Sequence, residues 1–257
     1  MRRNFLIICF LISGIITTNI ASECKIYLVL GSDTAIWRGM STSRYNCTYD
    51  PALYTDPSMN GYEVMSDNFR GNLVDSYGTP MKLTWWMMCG NIFRYATNTD
   101  CPIPNLMTMY HMKKNHLNQI EKWGDELTLH YHTFYWSDYD NDGIWHWNQA
   151  ETFEESREDF DFTLCQLLLE EENFFVSFRS GWHYMDNDWQ AYLNELMPFS
   201  MHNAYGSYKD DPEEPTNNNI DWRNAPSEWV PYQPGAENYQ LPGGNAGWNL
   251  RSQHIAN

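Results

Sequence analysis

Positive charge is scarce in this chain. Its 257 residues hold 16 Lys and Arg against 33 Asp and Glu, a formal net charge of −17. No cluster of Lys and Arg occurs anywhere along it. A protein that neutralises phosphates needs such a cluster, so nucleic acid is excluded as a partner. The acidity suits solubility, cation binding, and neutral or cationic substrates. Cysteines at C-x-x-C spacing are also absent, which argues against a cysteine zinc site. Beyond residue 22 there are five cysteines, Cys24, Cys47, Cys89, Cys101 and Cys165, so any pairing leaves one over. Cys24–Cys47 and Cys89–Cys101 are candidate pairs in an exported chain. No repeat of 20–50 residues and no domain linker is visible. After the first residues, no apolar run is long enough to span a membrane.

The one long apolar run lies at the start. Arg2 and Arg3 precede an apolar core from Phe5 to Ile16, and the small residues Ala21 and Ser22 follow. This is the layout of a secretory signal over residues 1–22, which makes the expected localisation secreted or periplasmic. Residues 23–257 are then one domain, and the closing stretch G-W-N-L-R-S-Q-H-I-A-N reads as the approach to a further strand, as in a chain that continues. Aromatic residues are plentiful at 16%, with 12 Trp and 17 Tyr. Much of that content serves the core. The remainder suits flat, partly apolar ligands such as sugars.

Apolar periodicity alternates strand and helix. Lys25 to Leu30 is a short strand ending at Gly31-Ser-Asp33, and residues 34–62 form a long irregular excursion. Asn68 to Ser76 is a short helix. Met81 to Met88 is a buried strand, Leu106 to Trp123 a helix stopped by Gly124, and Gly124 to Trp136 a strand. A second long helix opens at Thr152 and runs towards Glu172. Phe174 to Phe178 is the next strand, ending at Arg179-Ser-Gly181, and Asp186 to Leu196 the next helix. Beyond Met201 the chain is polar and rich in Pro, Asn and Gly. This order calls for an α/β fold with a parallel sheet and crossover helices. Asp33, Asn91, His130, His132 and Arg179 fall at or near carboxyl ends of strands, where sites in such folds are built.

His130 and His132 are two apart on a strand, so both imidazoles point to one face. That is a divalent-metal geometry; two half-buried histidines bonded to carbonyls are the bland alternative. Asp138-Tyr-Asp140-Asn-Asp142-Gly143 places oxygens at alternate positions before a glycine, as calcium loops do. Its twelfth position is Gln149 where a glutamate would complete the pattern, and a solvated acidic turn is the plainer reading.

Three segments in order resemble the NodB-homology polysaccharide deacetylases, the family-4 carbohydrate esterases. P-M-K-L-T-W-W-M-M-C-G-N, residues 80–91, is similar to that family's "kATFFvxG" strand. G-D-E-L-T-L-H-Y-H-T, residues 124–133, is similar to its "GHEIgnHT" strand, which supplies metal-binding histidines. F-R-S-G-W, residues 178–182, is similar to its "RPPxG" segment, whose arginine lies beside the catalytic base. The resemblance spans roughly residues 25–205. It implies a distorted (β/α) barrel and a divalent metal, zinc first with cobalt or manganese as alternatives, held by Asp33, His130 and His132. It further implies removal of acyl groups from an exported carbohydrate polymer or oligosaccharide. Arg179 would orient a catalytic carboxylate, Asp33 or Asp67. The plainer reading of Asp67, just before a helix, is a cap. Trp85, Trp136, Trp182 and His183 would line the sugar site, with at most one of Trp85 and Trp86 doing so because they face opposite ways. His254 or His202 would stand for the family's late general acid.

The departures are concrete. One aspartate, Asp33, stands where the family has two. Phe134 stands where the family's second histidine falls, with His132 two residues earlier. Ser180 follows Arg179 where the family has proline. Two other functions therefore stand beside the deacetylase: a catalytically altered relative that binds glycan, and a glycoside hydrolase on a similar barrel using Asp33 and Asp67.

Overall fold

The structure is a computed structural model, and it describes residues 28–34, 37–38, 48–90, 105–137, 141, 143, 146–149, 152–197, 200–204, 222–226 and 230–252. Six strands form its main sheet: β1 Gly31–Thr34, β2 Thr84–Cys89, β3 Glu126–Tyr131, β4 Ser177–Ser180, β5 Ser200–Ala204 and β6 Asn249–Ser252. Every neighbouring pair is parallel, and the order across the sheet is the order along the chain. Helix α1, Met107–Trp123, joins β2 to β3; α2, Arg157–Leu169, joins β3 to β4; α3, Asn187–Leu196, joins β4 to β5. Right-handed crossovers that always step the same way place their helices on one face. Such a singly wound sheet curls away from its helices, unlike a doubly wound sheet, which reverses direction.

One contact shows the curl. Asp33 on β1 and Arg179 on β4 are separated by two intervening strands. Three strand spacings in a flat sheet amount to about 14 Å, further than one arginine side chain reaches. The Arg179 Nε nevertheless lies 2.7 and 2.8 Å from the two carboxylate oxygens of Asp33. The first four strands therefore form a curled half-barrel. Among the described residues β1 and β6 are the edges of the six-stranded sheet.

The two faces differ in chemistry. On the outer face Trp85, Met87, Cys89, Leu127, Leu129, Tyr131 and Phe178 are buried in one apolar core with Met109 and Met112 of α1, Phe160 of α2 and Trp189 of α3. Phe160 and Trp189 hold Tyr131 and Phe178 at centroid separations of 5.1–6.1 Å, the ordinary spacing of packed aromatic rings. The inner face carries Trp86, Met88, Thr128, His130, Ser177 and Arg179, also buried. Parallel sheets in α/β proteins are ordinarily apolar on both faces. A buried polar inner face departs from that rule, and its groups must be satisfied by one another.

Helix punctuation follows local chemistry. Gly124 ends α1 in the left-handed region at φ 68°, as expected of a helix-stopping glycine. Asp186 caps α3, its carboxylate accepting from the Trp189 amide at 2.7 Å. Several strand boundaries differ from the sequence reading. β1 begins at Gly31, where the strand over Lys25–Leu30 was expected to end; residues 28–30 are irregular, and 25–27 lie outside the described residues. The run 124–136 is two elements. β3 stops at Tyr131, and Phe134–Ser137 turns away to pair antiparallel with His146–Gln149. β4 starts at Ser177, and Phe174 is 74% exposed. The excursion after Thr34 holds a small ribbon, Trp37–Arg38 with Thr48–Tyr49, and two short helices, Ala52–Thr55 and Asn60–Val64. The approach to a strand near the end is real: Asn249–Ser252 is β6.

At the amino ends of the strands a buried ion pair ties three segments together. Arg70, in the short helix Asp67–Asn72, donates to both carboxylate oxygens of Asp125 at 2.6 Å. Asp125 also accepts from the Leu83 amide and the Trp85 indole, each at 2.9 Å. The Arg70 and Asp125 side chains are 1% and 0% exposed, so removing one charge strands the other. Arg70→Ala is expected to cost about 3–5 kcal/mol of unfolding free energy, measured by urea titration. Lys122→Ala, which removes the exposed Lys122–Asp67 pair, is the control and should cost under about 1 kcal/mol.

Candidate functional site

His130 is one step from the carboxyl end of β3, in register with Arg179 of β4. Its Nδ1 lies 2.9 Å from the Arg179 carbonyl oxygen. A carbonyl only accepts, so Nδ1 carries the proton and Nε2 keeps its lone pair. That Nε2 lies 3.1 Å from Nε2 of His132, just past the strand end. The rings stand nearly perpendicular, 83° apart with centroids separated by 4.8 Å. Burial pushes both imidazoles below their ordinary pKa. For His130 the nearby Asp33 charge opposes that shift and Arg179 reinforces it. For His132 neighbouring His130 and His183 reinforce it, and the value falls well below the ordinary one. Both rings are therefore neutral at physiological pH, the state in which imidazole binds metal.

Arg179 connects this pair to the rest of the site. Its carbonyl orients His130, its guanidinium holds Asp33, and its Cζ lies 5.6 Å from the centre of the Trp86 ring, within cation–π range. Burial raises the Asp33 carboxyl, but His130, Arg179 and its hydrogen bond, and His183 together hold it below the usual value. Asp33 stays ionised, and its side chain is 33% exposed, open to an incoming ligand. The Trp86 ring lies across β1 at Gly31: a methyl there would come within 2.0 Å of the indole. His183 follows β4 at the end of the turn Gly181–His183, with φ 67°. A non-glycine residue in that region is uncommon, and such residues cluster where function constrains the backbone. The Trp222 indole secures the turn by donating to the His183 carbonyl at 2.7 Å.

The structure thus brings together Asp33, His130, His132, Arg179 and His183. Asp67 is not among them. It stands in the first turn of its short helix with Ser66 as the cap, and pairs at 2.7 Å with Lys122, in the last turn of α1 just before β3 begins. That is the amino end of the sheet, opposite the histidines. Trp85 is also misplaced by the sequence reading: it faces outward, and its indole donates to Asp125. Trp86 is the tryptophan of the site. The parity that separates Trp85 from Trp86 depends on strand register, which the local sequence does not carry. The backbones of Trp136 and Trp182 are placed, on the ribbon after β3 and in the turn after β4, while their side chains lie outside the described residues. Asp138, Asp140 and Asp142 of the acidic loop lie outside them too, as do Asn91 and His254. His202 lies on β5, one step past Met201, the partner of Phe178. That places it in the row of Arg179 and His130.

Among the described residues no three His, Cys, Asp or Glu side chains converge closely enough to hold one ion; the Asp33 carboxylate is turned to Arg179. Two imidazole nitrogens on one tetrahedral zinc, at about 2.0–2.1 Å each, stand about 3.3 Å apart, and the 3.1 Å spacing of this pair is close to that. The pair suits a divalent metal in spacing and in charge state, and the tautomer that frees a nitrogen for it is fixed at His130. A cavity of about 260 Å³ also opens on the outer side of β1, among Leu30, Tyr54, Val64, Leu83, Trp85 and Met112. None of the site's charged or imidazole groups lines it, so it carries no part of this chemistry.

The depressed imidazoles have a consequence for stability. Between their folded values and the ordinary 6.5, the unfolded chain binds protons that the folded chain refuses. Stability therefore rises with pH across that window: it is complete above about pH 6.5 and falls as the solution is acidified, by up to about 1.4 kcal/mol per pH unit for each histidine. Urea midpoints of chelator-treated protein between pH 7.5 and 5.5 should show this decline, and His132→Gln should make it shallower. Parallel curves for the two proteins would count against the assignment.

A scan against protein-family models and searches of curated proteins and of solved structures find no match to this chain.

Proposed function

We propose that the chain is an exported, metal-dependent hydrolase of the polysaccharide-deacetylase type, built on a distorted (β/α) barrel and removing acyl groups from a carbohydrate polymer or oligosaccharide. The observation that carries this reading is the His130–His132 pair, with its Nε2 atoms 3.1 Å apart and the His130 tautomer set by the Arg179 carbonyl. A carbonyl behind Nδ1 is the usual support of a metal-binding histidine. Asp33 beside the pair, held by Arg179, supplies the carboxylate that a hydrolase needs.

His130 and His132 would hold the ion, zinc first by its preference for imidazole, with cobalt and manganese as alternatives. Bound there, a divalent ion supplies polarisation of an acyl carbonyl and acidification of a water. Asp33 would take the proton of the attacking water. Arg179 keeps Asp33 ionised and aimed, and a carboxylate so paired still has lone pairs to spare for the ion or the water. His183, within electrostatic reach of Asp33 and His132, would be the imidazole placed to protonate the leaving group. Trp86 gives the site a flat apolar wall beside charged groups, which suits a pyranose face.

The glycan-binding alternative keeps the same wall and loses the chemistry. The glycoside hydrolase alternative needs two carboxylates within about 10 Å of each other. Its pair, Asp33 with Asp67, is not available, because Asp67 sits beside Lys122 at the other end of the sheet.

Acetate release from acetylated chitooligosaccharide and acetylated xylan, with zinc, cobalt or manganese supplied, tests the reading directly. His130→Ala should lose both bound metal and turnover. Asp33→Asn should lower kcat by about 10²–10⁴-fold, the range of a general base. Arg179→Ala should lower kcat more than it raises KM, since it supports Asp33 and does not grip the sugar. Binding of these sugars with no acetate released under any of the metals would leave the glycan-binding protein as the answer.

A further inference from the structure

We infer that Gly181 is a positioning residue: its bare backbone is the floor on which the His132 imidazole lies, and any side chain there would separate His132 from His130. A methyl group at Gly181 would sit 2.1 Å from Cγ, 2.3 Å from Nδ1 and 2.4 Å from Cδ2 of His132. Non-bonded carbons attract at about 3.5–4.0 Å, so these separations are deep overlap. The three distances are nearly equal, so the α-carbon faces the root of the ring and not its tip. Cγ is the atom by which the ring hangs from its chain, and relief therefore requires a new rotamer of the whole side chain.

Neither neighbour gives way easily. Gly181 is buried and follows β4 directly, at the head of the turn whose last residue is His183. The turn is closed by the Tyr184 amide donating to the Gly181 carbonyl at 3.1 Å and by the Trp222 indole bound to His183. His132 is 4% exposed and boxed in by His130. The glycine is not there for its torsion angle, since it carries no positive φ. Close approach is what it provides. A strand end that must present Arg179 from one residue and admit a ring from the next strand two residues later can do so only where it has no β-carbon.

This assignment shares its site with the hydrolase reading but rests on steric contact alone, so the two fail separately. The experiment is a double-substitution cycle read by thermal unfolding, with Gly181→Ala in the native chain and in a His132→Ala background. The expected result is a lowered Tm in the native chain and no loss in the His132→Ala background, where the missing ring leaves room for the methyl. If Gly181→Ala alone does not fold, recovery of a cooperative transition in the double variant is the same result. An equal loss in both backgrounds, or a double variant that stays unfolded while His132→Ala folds, overturns the assignment. Where Gly181→Ala folds, cross-relaxation between the His130 and His132 ring protons, close at the present 4.8 Å centroid separation, should disappear. Its persistence also overturns the assignment. Cobalt(II) binding by the native chain is followed alongside: a coupled cycle with no cobalt bound would sink the metal reading and leave Gly181 in its role.

Discussion

The fold and its site depend on one ion pair. Arg179 reaches from β4 to Asp33 on β1, and in doing so bridges two intervening strands. A flat sheet forbids that reach, so the contact requires the curvature that the singly wound order of strands produces. The same residue sends its carbonyl to His130 and lies over Trp86. Backbone, charge and aromatic wall thus converge on a single side chain, and the site's geometry is a property of sheet curvature before it is a property of individual rotamers.

The curvature separates two kinds of interior. Outside, aromatic rings and methionines pack against three crossover helices and supply the non-directional burial that stabilises the chain. Inside, groups are held by directed bonds. Glu126 accepts from Thr84 and Ser177, and Thr128 donates to the Ser177 carbonyl. Above that rung come the charged and imidazole groups. The lower rung is satisfied internally, whereas in the upper one the proton on His130 Nδ1 leaves its Nε2 lone pair facing the His132 ring. Polar burial of the first kind contributes to stability, while the second kind draws on stability supplied elsewhere, in part by the Asp125 network at the opposite end.

Much of this was legible before the structure. The strand–helix alternation, the Gly124 stop and the placement of Asp33, His130, His132 and Arg179 at strand ends follow from local rules of periodicity and capping. Trp85 and Trp86 illustrate what local rules omit. Both are apolar, adjacent and in the same strand; which one joins Arg179 depends on register with β1 and β3. Asp67 shows a second gap. Its position before a helix is visible in sequence, but the end of the sheet it occupies emerges only when Lys122 of α1 comes down beside it. Gly181 shows a third, because a glycine in R-S-G-W reads as a turn residue until the ring that fills its empty side is placed.

The Asp33–Arg179 contact joins residues 146 positions apart, while the hydrogen bonds that link adjacent strands of the half-barrel, such as Thr84–Glu126 or His130–Arg179, close only 42–49. The extra loop-closure entropy is modest, about 1 kcal/mol, because that cost grows only logarithmically. The kinetic meaning is larger. Contacts local in sequence form early, so the β2–α1–β3 and β3–α2–β4 units can assemble before β1 docks. β1 is also short and, among the described residues, has one pairing partner, which puts it among the elements that detach most readily in a native ensemble. The Asp33–Arg179 contact is accordingly expected to close late in folding and to open early in partial unfolding.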